Sequence, residues 1–351
     1  MKITFLYNTY ASHTGGQVYE KEVFDILRDS NRCEVERIVN PQRRGWKKIF
    51  SPVMNCFKYW SLKDQDIIFI NSSHAVYFIP LAFILRIIGD VKVYVFHHHY
   101  LFQQFTGFKR AMYMIAEYLI LTISNRIIAP SPYIVDLNKK YFKTKTLFWP
   151  IPFDDLDLNL VPHPCPGRLL YVGTIEERKG ITYLIEAMKW LQSNSQIHYS
   201  LRVIGKVVSG AYYDKLRKEI DENGLDVTFL GYVNDEEKKS IFSESDIFVF
   251  PSQLEGYGMV LWEAMSYGLP IVCFNNSAMP YSVKEGKNGK LIENRNIIEF
   301  ARAIDEISND RDLRGIMNQY GMQYYKKANK HKDLKDAVIR DILTRENIST
   351  K

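Results

Sequence analysis

The stretch Phe248-Val249-Phe250-Pro251-Ser252-Gln253-Leu254-Glu255-Gly256-Tyr257-Gly258-Met259-Val260-Leu261-Trp262-Glu263-Ala264-Met265-Ser266-Tyr267-Gly268-Leu269-Pro270 reads as a short apolar strand, a glycine-bearing turn and a helix. Gly256 and Gly258 let the backbone approach a ligand closely. The amides of Gly258, Met259 and Val260 then open a helix whose first turn has no internal acceptor for them, an anion site suited to a diphosphate. Glu255 stands before the turn and Glu263 about one helical turn inside. Carboxylates accept hydrogen bonds from hydroxyl groups, so this pair suits recognition of a sugar beside the phosphates. The competing reading is a surface Glu and a helix-stabilising Glu around a turn whose glycines serve packing.

Outward from this unit, short apolar runs alternate with longer amphipathic segments, the pattern of βαβ units and parallel sheets. Strands are expected at 168–173, 200–205, 227–230, 247–250 and 270–274. An earlier series lies at 2–7, 35–39, 67–71, 92–97, 126–129 and 146–149, with helices at 16–28 and 111–124. Between the series the alternation stalls at Pro150-Ile151-Pro152-Phe153, and residues 154–167 are rich in Asp and Pro, as a linker would be. The expected fold is α/β: two doubly wound Rossmann-like domains, residues 1–160 and 161–329, facing each other across a cleft. The helical, charged segment 330–351 is expected to cross back onto the first domain.

A chain of 351 residues is long enough for two cores, and 46% hydrophobic with 25% charged residues excludes extended disorder. Cys33, Cys56, Cys165 and Cys273 are scattered without a CxxC pair, which argues against a zinc site or disulfide framework and favours a reducing, cytoplasmic setting. The opening run Met1 to Tyr7 turns polar at Asn8 and reads as a strand rather than a signal peptide. The apolar stretch 75–85 is too short to span a bilayer, and Arg86 interrupts it. A net charge of +6 suits an anionic substrate or an anionic membrane surface. With no helix-turn-helix, zinc-finger or RNP pattern, nucleic acid is not an expected partner.

The spacing Glu255 to Glu263, with Gly256-Tyr257-Gly258 between and Ala264-Met265-Ser266-Tyr267-Gly268-Leu269-Pro270 after, resembles the donor-site signature of the retaining family-4 glycosyltransferases of GT-B architecture. The resemblance implies that Glu255 faces a donor hexose and Glu263 binds the ribose hydroxyls of the nucleotide. Leu170-Tyr171-Val172-Gly173-Thr174-Ile175-Glu176-Glu177-Arg178-Lys179-Gly180 is similar to the family's strand-GRLxxxKG segment and assigns Lys179 to the donor diphosphate. A cation there stabilises the departing charge. Thr174 stands where the family usually has Arg, so either Arg178 substitutes or Lys179 and the helix amides serve the phosphates alone.

Val203-Ile204-Gly205-Lys206 and Phe229-Leu230-Gly231-Tyr232-Val233 resemble elements lining the nucleotide cleft, which puts Gly205, Tyr232 and Val233 against the donor; packing alone is the alternative. Ala11-Ser12-His13-Thr14-Gly15-Gly16 resembles a paired-glycine loop in which Gly16 approaches donor phosphate and acceptor, or is a plain turn; it is not GxGxxG. In Tyr94-Val95-Phe96-His97-His98-His99-Tyr100 the resemblance places His97 beside the reacting sugar, against the alternatives of a structural histidine or a metal site. Successive strand residues point to opposite faces, so the three histidines do not easily converge on one ion. Ser131 belongs to a similar strand-Ser turn or caps a helix. Tyr281 replaces a Glu that many relatives carry, which bears on sugar choice. Asp64-Gln65-Asp66 and Asp155-Leu156-Asp157 read as polar loops rather than metal-binding motifs, and no metal or cofactor is expected.

The resemblance implies transfer of a sugar from a nucleoside diphosphate sugar, with retention, to a hydroxyl of a glycan or lipid-linked glycan in bacterial surface polysaccharide synthesis. The alternatives are a non-catalytic nucleotide-sugar-binding partner of another transferase and a nucleotide-sugar epimerase. Arg43, Arg44, Lys47 and Lys48, interleaved with Trp46, Phe50, Met54, Phe57, Tyr59 and Trp60, suit peripheral contact with the cytoplasmic face of an anionic membrane, or form a solvated helix with its aromatics turned inward.

Overall fold

The computed structural model describes residues 1–7, 15–39, 50–155 and 164–344. These divide into two units: Met1–Asp154 with the segment from Asn329 onward, and Asp155–Ala328. Residues 11–14 of the glycine loop, the basic run Arg43, Arg44, Lys47 and Lys48, and Leu156 and Asp157 lie outside the described residues.

The first unit runs β1 (Lys2–Tyr7), α1 (Gly15–Asp29), β2 (Glu34–Val39), α2 (Ser51–Lys58), β3 (Ile67–Asn71), α3 (Ala75–Ile88), β4 (Lys92–Phe96), α4 (Gly107–Ile123), β5 (Arg126–Ala129), α5 (Pro132–Phe142) and β6 (Thr146–Phe148). Its sheet is parallel in the order β2-β1-β3-β4-β5-β6. The second unit runs β7 (Arg168–Val172), α6 (Ile181–Asn194), β8 (Ser200–Ile204), α7 (Gly210–Glu222), β9 (Val227–Gly231), α8 (Asp235–Glu244), β10 (Ile247–Phe250), α9 (Met259–Ser266), β11 (Ile271–Phe274), β12 (Gly289–Ile292), α10 (Ile297–Asn309) and α11 (Arg311–Lys326), with one helical turn at Met279–Ser282. Its sheet, also parallel, is ordered β12-β11-β10-β7-β8-β9.

Helices cover parallel sheets on both faces, so their strands are apolar throughout rather than alternating. Accordingly Ile67 to Ile70, Ile247 to Phe250 and Ile271 to Phe274 are all buried. The strand order turns back between β1 and β3 in the first sheet and between β7 and β10 in the second. In open α/β sheets ligands bind outside the carboxyl ends of the strands at such a reversal.

Several boundaries differ from the sequence expectation. Strand β4 stops at Phe96, one residue short of His97, and α4 begins at Gly107 rather than at 111. Helix α3 carries too little periodicity to be read from sequence, because Ala-Val-Tyr-Phe-Ile-Pro-Leu-Ala-Phe-Ile-Leu-Arg-Ile-Ile is apolar nearly all round.

On the α1 side of the first sheet the Phe5, Phe69 and Phe96 rings stack, with centroids 4.5 Å and 5.2 Å apart. Beside them the fully buried Trp149 ties in the returning segment: its indole Nε1–H donates to Asp341 Oδ2 at 3.0 Å. The Tyr19 hydroxyl of α1 donates to the Trp149 carbonyl at 2.8 Å. The returning helix His331–Val338 starts with the His331 ring between Glu22 and Asp154. Replacing Asp341 with Ala would leave a buried indole donor without its acceptor, a loss of about 1–3 kcal/mol. In guanidinium unfolding, Asp341→Ala is expected to lower the midpoint clearly and Asp341→Asn, which keeps an acceptor oxygen, to lower it less.

Candidate functional site

At the reversal of the second sheet, the loops after β7 and β10 meet. Gly180 ends the first loop with φ +75°, and a Cβ there would lie 2.2 Å from the Pro251 carbonyl oxygen. Only a glycine permits both this left-handed backbone and this approach. The contact brings Lys179 to Glu255: Lys179 Nζ lies 2.5 Å from Glu255 Oε1, with the two side chains only 13% and 14% exposed. Ser252 Oγ donates to the same oxygen at 2.7 Å, and Arg178 Nη1 stands 3.5 Å away. Burial by itself would raise the Glu255 carboxyl; the Lys179 and Arg178 charges outweigh it and hold the group below the usual carboxylate range.

Arg178 is spoken for elsewhere as well. Its guanidinium donates to the Leu254 carbonyl at 2.6 Å and to Glu176 at 2.8 Å, and Glu176 also accepts from the Thr174 hydroxyl at 2.9 Å. The Glu255 amide donates to Ser277 Oγ at 3.0 Å, and Asn276 Nδ2 donates to the Ser252 carbonyl at 3.0 Å, so the loop after β11 braces the same turn. Sequence reasoning missed Ser252, Asn276 and Ser277. Their role depends on which strand ends are neighbours, although the Asn-Asn-Ser run directly after β11 is a turn signal.

Gly258 caps α9 with φ +75°, and its carbonyl accepts from the Leu261 amide at 2.9 Å. The half-buried Met259 and Val260 follow in the first turn, whose amides have no acceptor within the helix. Glu263, further along α9, pairs with Lys238 of α8, a partner that sequence reasoning also missed. Gly205, at the end of β8, has a packing reason to be glycine: a Cβ there would lie 1.9 Å from the Gly173 carbonyl oxygen. Its amide donates to the Gly231 carbonyl at 2.9 Å, which aligns the ends of β8 and β9. Beyond β9, Tyr232 is 93% exposed and Val233 half-buried. The Tyr281 carbonyl accepts from Lys284 Nζ at 3.1 Å and from the Tyr324 hydroxyl at 3.3 Å.

In the first unit the three histidines take three different environments. Alternation along β4 puts His97 on the side of Val93 and Val95, where it is fully enclosed and edge-on to Tyr100 at 4.4 Å. Burial, with His99 and His98 adding to it, pushes its pKa down to about 3, so the ring is neutral. His98 takes the opposite side, stacked on Phe96, with Nε2 2.8 Å from the buried Glu20 carboxylate. Asn71 Nδ2 donates to that same Glu20 oxygen at 2.5 Å, and Asn71 Oδ1 accepts from the Ser73 amide at 2.9 Å. A Cβ on Gly16 would lie 3.4 Å from the His98 ring, so this imidazole sits against the start of α1. The His99 ring turns instead to Gln104 at 3.0 Å. Ser131 caps α5 by accepting from the Ile134 amide at 3.2 Å. Asp66 accepts from the Lys2 amide at 2.6 Å and Asp64 ends an exposed turn.

The Lys179–Glu255 pair yields a stability prediction. A depressed carboxyl pKa stabilises the fold above the group's ordinary value of 4.5 and loses that contribution as pH falls through the folded value. Lys179→Met, which strands a buried carboxylate, is expected to cost about 3 kcal/mol at pH 7 and markedly less near pH 4, where the carboxyl takes up a proton. Lys179→Met combined with Glu255→Gln should recover most of the loss; guanidinium unfolding of the three proteins at both pH values checks this.

Residues 165–324 match the family model described as glycosyl transferases group 1. An uncharacterized 41.2 kDa protein of the cps region of Klebsiella pneumoniae is 25% identical over 280 residues, 76% of this chain and 74% of that one. O-antigen chain mannosyltransferase B of Escherichia coli is 31% identical over 161 residues, covering 44% of this chain and 40% of that protein. The crystal structure of Anabaena HepE in complex with UDP and glucose superposes with a TM-score of 0.75 at 18% identity, over all of both chains. The chain therefore has the GT-B fold, and over residues 165–324 its second unit matches the glycosyl transferases group 1 model.

Proposed function

We propose that this protein is a retaining glycosyltransferase that moves a sugar from a nucleoside diphosphate sugar to a hydroxyl of a glycan or lipid-linked glycan acceptor. The observation that carries the reading is the meeting of Lys179 and Glu255 at the reversal point of the second sheet, in the turn that leads to the start of α9. The ammonium group has three donors and Glu255 takes one, which leaves donors for phosphate oxygens. Together with the first-turn amides of α9 it stabilises the diphosphate as it departs with negative charge.

The ionised Glu255 accepts hydroxyl hydrogen bonds from the hexose through its second oxygen. Glu263 does the same for the ribose, in exchange with Lys238. Because Oε1 of Glu255 is already held by Lys179 and Ser252, it makes a poor covalent nucleophile. For a transfer with retention, this leaves attack on the face the diphosphate departs from rather than a covalent glycosyl-enzyme intermediate. In the first unit the resemblance gives His97 the sugar-side role, and His98, held by Glu20, is the histidine that lies against Gly16. The match of residues 165–324, the cps-region relative and the O-antigen mannosyltransferase support a place in surface polysaccharide synthesis. The HepE complex supports a nucleotide-sugar donor.

Titrating the chain with UDP, GDP and ADP tests the reading. One nucleotide is expected to stabilise the fold by about 2.7 kcal/mol at a hundredfold excess over its Kd. Glu263→Gln should weaken nucleotide binding, while Lys179→Met should lower transfer from the matching sugar nucleotide by about a hundredfold. Binding of none of the three, or full turnover by the Lys179→Met, Glu255→Gln and Glu263→Gln variants, would refute it. Tight nucleotide binding without transfer would favour the non-catalytic partner, a reading prompted by Thr174 and Tyr281.

A further inference from the structure

The helices on one side of the first sheet leave an apolar face uncovered. On α4, Phe108, Ile115 and Leu119 recur on one side and are 86%, 57% and 46% exposed. Helix α3, packed beside it, adds Phe83 and Ile87, and α2, packed on α3, adds Phe57, which is 80% exposed. Isolated exposed apolar side chains are ordinary, whereas stripes on three adjacent helices mark an interaction surface.

Charge decides what the surface meets. The only acid within α2, α3 and α4 is Glu117, and it is buried, accepting from the Leu101 and Phe102 amides at 2.7 Å and 3.0 Å. The same helices carry Lys58, Arg86, Lys109 and Arg110, all exposed, and Lys63 follows α2. Exposed acids return past the ends of these helices, at Asp64, Asp66 and Asp90, and on α5 at Asp136. Four cations lie over aromatic rings: Lys109 Nζ is 3.9 Å from the Phe105 centroid, Lys58 Nζ 4.8 Å from Tyr59, Arg110 Cζ 5.7 Å from Phe102 and Lys63 Nζ 5.8 Å from Trp60. A second copy docked through a two-fold axis would set these positive charges against themselves. Lipid phosphates would neutralise them while the aromatic and aliphatic side chains enter the headgroup boundary. No described helix is long and apolar enough to cross a membrane, and α3, at 14 residues, falls short of a span of about 30 Å.

We infer that the outer face of α2, α3 and α4 lies on an anionic lipid bilayer, with Phe83, Phe108 and Ile115 inserted and Lys58, Lys109 and Arg110 at the phosphates. This stands independently of the transfer reaction and uses no residue of the 43–48 run.

Co-sedimentation of the full chain with vesicles tests it, comparing phosphatidylglycerol mixed with phosphatidylcholine against phosphatidylcholine alone. The native chain is expected to pellet with the anionic vesicles and to be released by salt. The triple variant Phe83→Ser, Phe108→Ser, Ile115→Ser should bind at least tenfold more weakly while keeping its circular dichroism and unfolding midpoint, because these side chains are exposed. Lys109→Gln with Arg110→Gln should weaken binding by about fivefold for each charge removed. The inference is overturned if native and triple-variant proteins pellet equally, or if anionic lipid makes no difference. It is also overturned if the native chain is a dimer that the triple variant dissolves, since the face would then belong to a second copy.

Discussion

The ion pair between Lys179 and Glu255 is the constraint on which the second unit's site depends. Each group comes from a different βα loop, and neither reaches the other unless β7 and β10 are neighbours. Taking both charges out of water is costly, and attraction offsets the cost only when geometry and additional hydrogen bonds are good. The structure supplies both. Gly180 lets one loop rest on the Pro251 carbonyl, Ser252 donates to the shared oxygen, and Ser277 and Asn276 brace the turn from the next strand. What results is an acid kept ionised inside a crowded corner, beside a helix start whose amides favour negative charge.

The first unit uses the same device with different chemistry. Glu20 on α1 is buried and held from two strand ends, by Asn71 at the end of β3 and by His98 after β4. Asn71 is fixed in turn by Ser73, so the carboxylate orients an imidazole that lies against Gly16. In both units the carboxyl ends of parallel strands collect polar groups that a sheet buried on both faces cannot accommodate elsewhere. The neighbouring His97, one residue earlier, is held neutral by burial and packs with Tyr100 as part of the core. One step of strand register separates the two environments.

Much of this was written plainly in the chain. The alternation of apolar runs and amphipathic segments announced two parallel α/β sheets, because strands covered on both faces must be apolar along their whole length. The turn at Gly256 to Gly258 announced a helix start with Glu255 before it, because glycine takes the left-handed backbone adopted at Gly258 without the strain a side chain would add. Helix α3 was not legible: it is apolar nearly all round, which erases the periodicity that marks a helix with one buried face.

The sequence by itself thus determined the fold class, the strand–turn–helix around Glu255 and Glu263, and the presence of Lys179 after β7, since these follow from local spacing and backbone preference. Tertiary structure alone decided that Lys179 and Arg178 spend charge on Glu255, that Glu263 answers Lys238, and that His98 rather than His97 faces Gly16. It alone also left α4's apolar stripe outward. Partners far apart in sequence meet only through strand order, and which of two adjacent side chains, pointing to opposite faces, meets α1 and which meets the core depends on what packs on each face.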